Sequence, residues 1–221
     1  MDDLIADLHI HSKYSHDSLM SPEKIVKQAK KAGLTCIAIT DHDTIRGGIE
    51  GTKAGEKFGV RVIVGAEIKT DCGDIIGLAL EHEVTSKRWE DVIEEIKDQN
   101  GYVVFPHPFR DHTGIEQIAS RADLIECWNG RSTPAQNESA MELAGRFSKP
   151  VVYGSDAHTH KEIGGVKIRI DPVSFQCREL ITARYTSSAN IRCSQIVSLI
   201  KQGKYGKLAR NGAGYLWKKI T

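Results

Sequence analysis

The sequence predicts an α/β fold closed into one barrel-like domain, and three observations point there. Seven short β-branched runs alternate with helix-like stretches over most of the 221 residues. Most of these runs are near-continuously apolar, as strands buried on both faces of a parallel sheet are. Histidines and carboxylates recur just past the C-terminal ends of the runs, which is where barrels keep their chemistry. Repeated strand–helix units join through right-handed crossovers and give either an open doubly wound sheet or a closed barrel. Seven runs are one short of the usual barrel, and the convergence of the histidines selects the barrel.

The strand candidates are 4–10, 35–40, 60–65, 75–80, 102–106, 124–128 and 151–154. After the first, Ser21-Pro22 offers an N-cap and a first-turn proline, and Gly33 stops the helix. A second helix runs from about 86 to Asn100-Gly101, with Trp89, Val92, Ile93 and Ile96 at helical spacing. A third covers about 134–147 and a fourth about 191–202.

Composition excludes several classes. With 40% hydrophobic and 27% charged residues the chain is ordinary for a globular protein, not disordered or collagen-like. Its longest apolar runs, such as Cys36-Ile37-Ala38-Ile39, fall far short of the roughly 20 residues of a membrane-spanning helix. The acidic opening Met1-Asp2-Asp3-Leu4 lacks the basic-then-apolar order of a secretory signal, so a soluble, cytoplasmic protein with no membrane partner is expected. Cys36, Cys72, Cys127, Cys177 and Cys193 are odd in number and contain no C-x-x-C pair, so they read as reduced thiols. A net charge of +1 conceals +8 over the last forty-two residues, which contain no acidic residue after Glu179, against −7 elsewhere. This basic stretch, about 180–221, is expected to pack on the barrel or trail from it. A basic tail suits nucleic acid or only solvent. No binding motif accompanies it, so nucleic acid is not the favoured partner.

The functional signal lies in nine histidines, at positions 9, 11, 16, 42, 82, 107, 112, 158 and 160. His9 and His11 end the first run, Asp41-His42-Asp43 follows the second and Glu67 the third. His107 follows the fifth run, and Asp156 and His158 follow the seventh. Side chains two apart on a strand point to the same side. The imidazoles of His9 and His11 can therefore meet one ion, and Asp156 with His158 repeats that geometry. Clustered imidazoles and carboxylates suit Zn²⁺, Mn²⁺ or Fe²⁺. Asp41 reads as an acceptor that orients an imidazole, and Asp43 as a helix N-cap before Thr44-Ile45. His112 and His160 read as loop residues near the site.

In order along the chain, D-L-H-I-H-S at 7–12, I-T-D-H-D at 39–43, G-A-E at 65–67, P-H-P at 106–108 and G-S-D-A-H at 154–158 resemble the PHP family (polymerase and histidinol phosphatase domains). The resemblance implies a distorted seven-stranded, TIM-like (β/α) barrel as a single catalytic domain, 1–221, with two or three divalent ions at the strand C-termini. Carried over by position, His9, His11, Glu67 and Asp156 would hold one ion. Glu67 would bridge to a second, shared with His107. His42 and His158 would hold a third with a residue of the loop 12–18, either Asp17 or His16, Asp17 being preferred. Many family members place a histidine at the start of strand four, where this chain has Asp74. Asp74 would favour harder ions such as Mn²⁺ or Mg²⁺; alternatively His82 substitutes, or Asp74 only caps a turn.

The resemblance also implies phosphoester hydrolysis; two-ion chemistry then suggests a hydroxide held between the first two ions as the group that attacks phosphorus. The expected substrate is a small phosphorylated metabolite, a nucleotide or sugar phosphate. Arg110 and Arg131 follow the fifth and sixth runs, where a guanidinium can bind phosphate oxygens. Two other functions compete: an exonuclease acting on RNA or DNA ends with the same ions, and a non-catalytic, metal-stabilised interaction module.

Overall fold

The computed structural model describes residues 4–208. Its strands are β1 (Leu4–Asp7), β2 (Cys36–His42), β3 (Arg61–Thr70), β4 (Gly73–Leu78), β5 (Tyr102–Phe105), β6 (Leu124–Asn129), β7 (Val151–Gly154), β8 (Val166–Ile170) and β9 (Cys177–Ala183). Its helices are α1 (Pro22–Lys31), α2 (Arg46–Phe58), α3 (Trp89–Asp98), α4 (Ile115–Arg121), α5 (Pro134–Arg146) and α6 (Ser188–Lys201). None of them is long and apolar enough to cross a membrane. The final residues of the basic stretch, 209–221, lie outside the described residues.

The expected seven-stranded TIM-like barrel is not what forms. All nine strands join one sheet in the order β7-β6-β5-β4-β3-β2-β1-β8-β9. Strands β1, β2 and β3 are parallel, as are β5, β6 and β7, but β4 is antiparallel to both its neighbours. Only Asp71 and Cys72 separate β3 from β4, and so short a link can join antiparallel strands but not parallel ones. On the other side β8 runs antiparallel to β1, taking the neighbour position that β7 holds in a regular barrel. Closure is nearly complete. β1 ends at Asp7, but its extension meets the segment after β7 in a parallel bridge between Ile10 and Ala157. There the His11 N–H donates to the Ala157 carbonyl at 2.9 Å.

Two apolar layers hold this sheet. Inside the barrel, Ala6, Ala38, Ile63, Ile76, Val104, Leu124, Val152 and Ile168 pack together from eight different strands. Outside, α3, α4 and α5 cover one arc through Val92, Ile93, Ile96, Ile118 and Leu143. α1 and α2 cover another through Ile25, Val26, Ala29 and Ala54. Strand alternation then decides what stands above the inner layer. Two residues on from Leu124 is Glu126, and four on from Ile63 and Ala38 are Glu67 and His42. The polar site is therefore the next storey of the same barrel interior.

Helix α2 escapes sequence reading because RGGIEGTKAGEKF contains four glycines, each costing about 1 kcal/mol in a helix relative to alanine. They line the face against the sheet. A Cβ on Gly48 would lie 2.9 Å from the Val64 backbone, and one on Gly47 would lie 1.8 Å from Asp41 Oδ2 and 2.5 Å from Ser12 Oγ. Close helix–sheet approach thus outweighs propensity. Helix propensity alone makes Gly47→Ala stabilising, whereas overpacking costs about 1–3 kcal/mol. We expect a loss of that size in denaturant unfolding, and a gain would contradict the packing account.

Candidate metal centre

Nine side chains from separate segments meet at the open end of the barrel. Four overlapping groups have ligand atoms within 4.8 Å of one another: His11, Asp17, His42 and His158; His9, His11 and Glu67; His9, His107 and Asp156; and Glu67, Asp74 and His107. Together they comprise all nine residues that the sequence singles out as metal-binding. His9, His11, Glu67, His107, Asp156 and His158 are buried, while Asp17, His42 and Asp74 are partly exposed.

Glu67 lies at the centre. Its Oε1 is 2.9 Å from His107 Nε2, and its Oε2 is 3.2 Å from His42 Nδ1, 3.3 Å from His11 Nε2 and 3.5 Å from His9 Nε2. Asp156 Oδ1 lies 3.2 Å from His11 Nε2, and its Oδ2 accepts from Arg110 at 2.7 Å. Asp17 Oδ2 lies 2.9 Å from His158 Nε2 and 3.3 Å from His42 Nε2. The antiparallel course of β4 explains Asp74: that strand begins, rather than ends, at this face. The same course carries His82 to the opposite end, where its N–H donates to Gln99, so His82 cannot join the cluster. His16 stacks on the His42 ring at 4.6 Å and lies outside the four groups.

The donor set fits divalent ions. His9 Nδ1 pairs with Glu126 at 2.9 Å, His11 Nδ1 with Ser15 Oγ at 2.9 Å, and His158 Nδ1 with the Asp156 carbonyl at 2.8 Å. Each ring thereby turns its Nε2 inward, the usual arrangement of a metal-binding imidazole held by an outer hydrogen bond. His9 and His11 point Nε2 at one another across 3.1 Å, and buried Asp17 Oδ1 and His107 Nδ1 have no hydrogen-bond partner. Two site residues, His107 (φ 30°) and Asp156 (φ 54°), adopt left-handed backbone, a strain that clusters at functional sites.

Electrostatics follow from burial. Desolvation would lower the His11 pKa, but hydrogen bonds to Asp156 and Glu67 raise it to about 10. Burial would raise that of Asp156, yet the charges of His9 and Arg110 hold it well below the usual carboxylate range. Desolvation pushes Asp7, beneath the cluster, up to about 7 despite bonds from Ser155. An ion bound at His11 would therefore compete with a proton for that imidazole.

Asp41, Asp43 and Arg131 differ from expectation. Asp41 does not touch an imidazole; it accepts from the backbone N–H and hydroxyl of both Ser12 and Ser15, and Ser15 in turn braces His11. Asp43 is not the helix cap, since Ile45 occupies that position; its carboxylate accepts from Lys69 N–H and Lys87 Nζ. His112 accepts from the Asp74 N–H and bonds the Arg110 carbonyl. Arg110 reaches Asp156 and Asn129, whereas Arg131 points elsewhere, to Glu162 and Ser194, each at 2.7 Å. Sequence reading missed Glu126, which also accepts from the His107 N–H and Asn129. The available signal was a lone carboxylate inside the apolar run Leu124-Ile125-Glu126-Cys127-Trp128. Gly154 makes room for it: a Cβ there would lie 2.3 Å from Glu126 Oε1 and 2.5 Å from His9 Cβ.

Comparison with known proteins agrees with this geometry. The PHP domain family matches residues 7–128, and a family described as PHP-associated matches 134–183. The nine strands thus span two family segments rather than one seven-stranded unit. An uncharacterised protein of Methanocaldococcus jannaschii is 47% identical over 115 residues, 47% of this chain and 67% of its own length. The 5'-3' exoribonuclease of Haemophilus influenzae is 42% identical over 65 residues, 29% of this chain and 23% of that protein. A two-domain Bacteroides vulgatus protein containing a predicted PHP-like metal-dependent phosphoesterase shares the fold, with a TM-score of 0.65 at 21% identity over 87% of this chain and 62% of that one. With the PHP match covering more than half its length, this chain belongs to the PHP domain family, and its converging donors are those of a metal-dependent hydrolase.

Proposed function

We propose that the protein is a metal-dependent phosphatase that hydrolyses the monoester of a small metabolite, of the nucleotide or sugar phosphate class. The observation that carries this reading is Glu67, whose two oxygens serve different donor groups, as a carboxylate between neighbouring ions must. In this assignment His9, His11, Glu67 and Asp156 hold one ion, and Glu67, Asp74 and His107 a second. Asp17, His42 and His158 hold a third. Mn²⁺, Zn²⁺ and Fe²⁺ suit the imidazoles, and the carboxylate of Asp74 favours the harder among them. Ions held by these residues would neutralise phosphoryl oxygens and lower the pKa of water.

The protein's own groups do the rest. With His9, Arg110 keeps Asp156 ionised, and with 27% of its side chain exposed it can also meet a phosphoryl oxygen. Glu126, itself held by a bond from Asn129, fixes the ring of His9 and the backbone of His107. Ser15 touches His11, but its buried hydroxyl donates to Asp41, so it braces the ring and is no nucleophile. A second reading, trimming of RNA or DNA ends, is favoured by the exoribonuclease relative and by the basic stretch after Glu179. Counterion release would give that activity a steep salt dependence, which a small-molecule phosphatase lacks.

Phosphate release from nucleoside and sugar monophosphates tests the main reading. The Mn²⁺-loaded chain is expected to turn over at least one of them and to stop on chelation, and His9→Ala and Asp156→Ala should each abolish turnover. Full activity in both variants would refute the assignment. Because outer partners of metal-binding histidines are worth roughly 10–100-fold in affinity, Glu126→Gln should weaken ion binding by about that factor in calorimetry. Unchanged affinity would remove Glu126 from the centre.

A further inference from the structure

Helix α6 is built unlike the other described helices. The face that it turns toward Asp17, with Ile191, Ser194, Ser198 and Leu199 and the exposed Gln195, follows the i, i+3, i+4, i+7, i+8 spacing that is apolar in a core-facing helix. Here three of the five are polar, and Ser194 is the helix's one buried residue. Ile196 and Ile200, each 46% exposed, face away. That face does not seal a core. It walls a cavity of about 440 Å³ whose other side includes Asp17, and such a volume lies within the roughly 300–1,000 Å³ of small-molecule sites.

Polar contacts, rather than apolar burial, hold α6 over the cavity. Arg131 reaches Ser194 and Glu162 with its two terminal nitrogens, and its buried Nε has no partner. At the other end Lys201 donates to the carbonyls of Lys13 (2.7 Å), Ser15 and Ser18 (3.1 Å), in the loop that carries Asp17. The helix also lies beyond both family matches, 7–128 and 134–183, so this wall belongs to neither.

Resting on the phosphatase reading, we infer that this cavity receives the leaving group, and that Gln195 and Ser198 determine specificity by contacting it. Arg131 is already neutralised by Glu162, so among the described residues that line it the pocket offers hydroxyl and amide partners but no unpaired cation. It suits a neutral polyhydroxylated group of sugar to nucleoside size, not a second phosphate. The phosphoryl end would lie toward Asp17 and the ions. Arg131 and Lys201 are positioning residues that keep the wall in place.

Two non-hydrolysable probes with the same charged end separate pocket from ion centre: methylphosphonate and a ribose-derived 5-phosphonate, titrated calorimetrically into the Mn²⁺-loaded full chain. The chain is expected to prefer the ribose phosphonate by about tenfold or more, the size of discrimination that pocket contacts provide. Ser198→Phe and Gln195→Trp, which fill the cavity from a largely exposed helix, should each erase that preference while leaving methylphosphonate affinity and metal content unchanged. Equal affinity for both probes in the unmodified chain, or a preference that survives both variants, would overturn the inference. A preference without turnover of any monoester would sink the phosphatase reading and keep the pocket; turnover without a preference would do the reverse.

Discussion

Buried carboxylates must be answered by cations or donors, and that requirement organises the open end of this barrel. Asp41, Glu67, Glu126 and Asp156 are all buried, and an unpaired ionised carboxylate in such a place costs several kcal/mol. Hydroxyls and N–H groups answer Asp41, imidazoles answer Glu67, and Arg110 with His11 answers Asp156. Of the rings that answer the carboxylates, His9 and His11 are themselves tied on their far sides, by Glu126 and Ser15. Those two donors are therefore fixed before any ion arrives, and at His11 an ion would compete with a proton. Even Gly47 of α2 follows from this requirement, because Asp41 and Ser12 occupy the space that a side chain there would take.

Topology supplies the convergence. His9 and His11 neighbour Asp156 and His158 only because the extension of β1 bridges the segment after β7 at Ile10 and Ala157. The antiparallel β4 adds Asp74 from a strand beginning. The remaining strands β8 and β9 extend the sheet past β1 and lead the chain into α6, which reaches back to the Asp17 loop through Lys201. The parts that complete the centre and the part that walls its cavity are thus joined by one continuous path.

Much of the centre was legible because its residues follow short apolar runs in pairs that alternation places on one side. Strand positions one to seven were legible for the same reason. What stayed hidden has physical causes. β8 alternates apolar and charged residues, as Val166-Lys167-Ile168-Arg169-Ile170, and β9 lies at a largely exposed edge, so neither shows a continuous apolar run. Helix α2 is written in glycines that only tertiary packing rewards, and α4 has only seven residues. Glu126 was hidden by its place inside a strand, and the roles of Asp41 and Asp43 depend on loop geometry that spacing does not encode. Arg131 looked like a phosphate ligand because it follows β6, but Glu162 and Ser194 claim its guanidinium.

The central claim is that these donors converge to hold ions, and metal content per chain tests it most directly. Elemental analysis of protein purified without chelator or nickel affinity should find two to three equivalents of manganese, iron or zinc, shared among the four overlapping donor groups. Less than about half an equivalent, persisting after incubation with manganese and zinc, would mean that the donors do not bind as a centre, and the hydrolase account would fall with it.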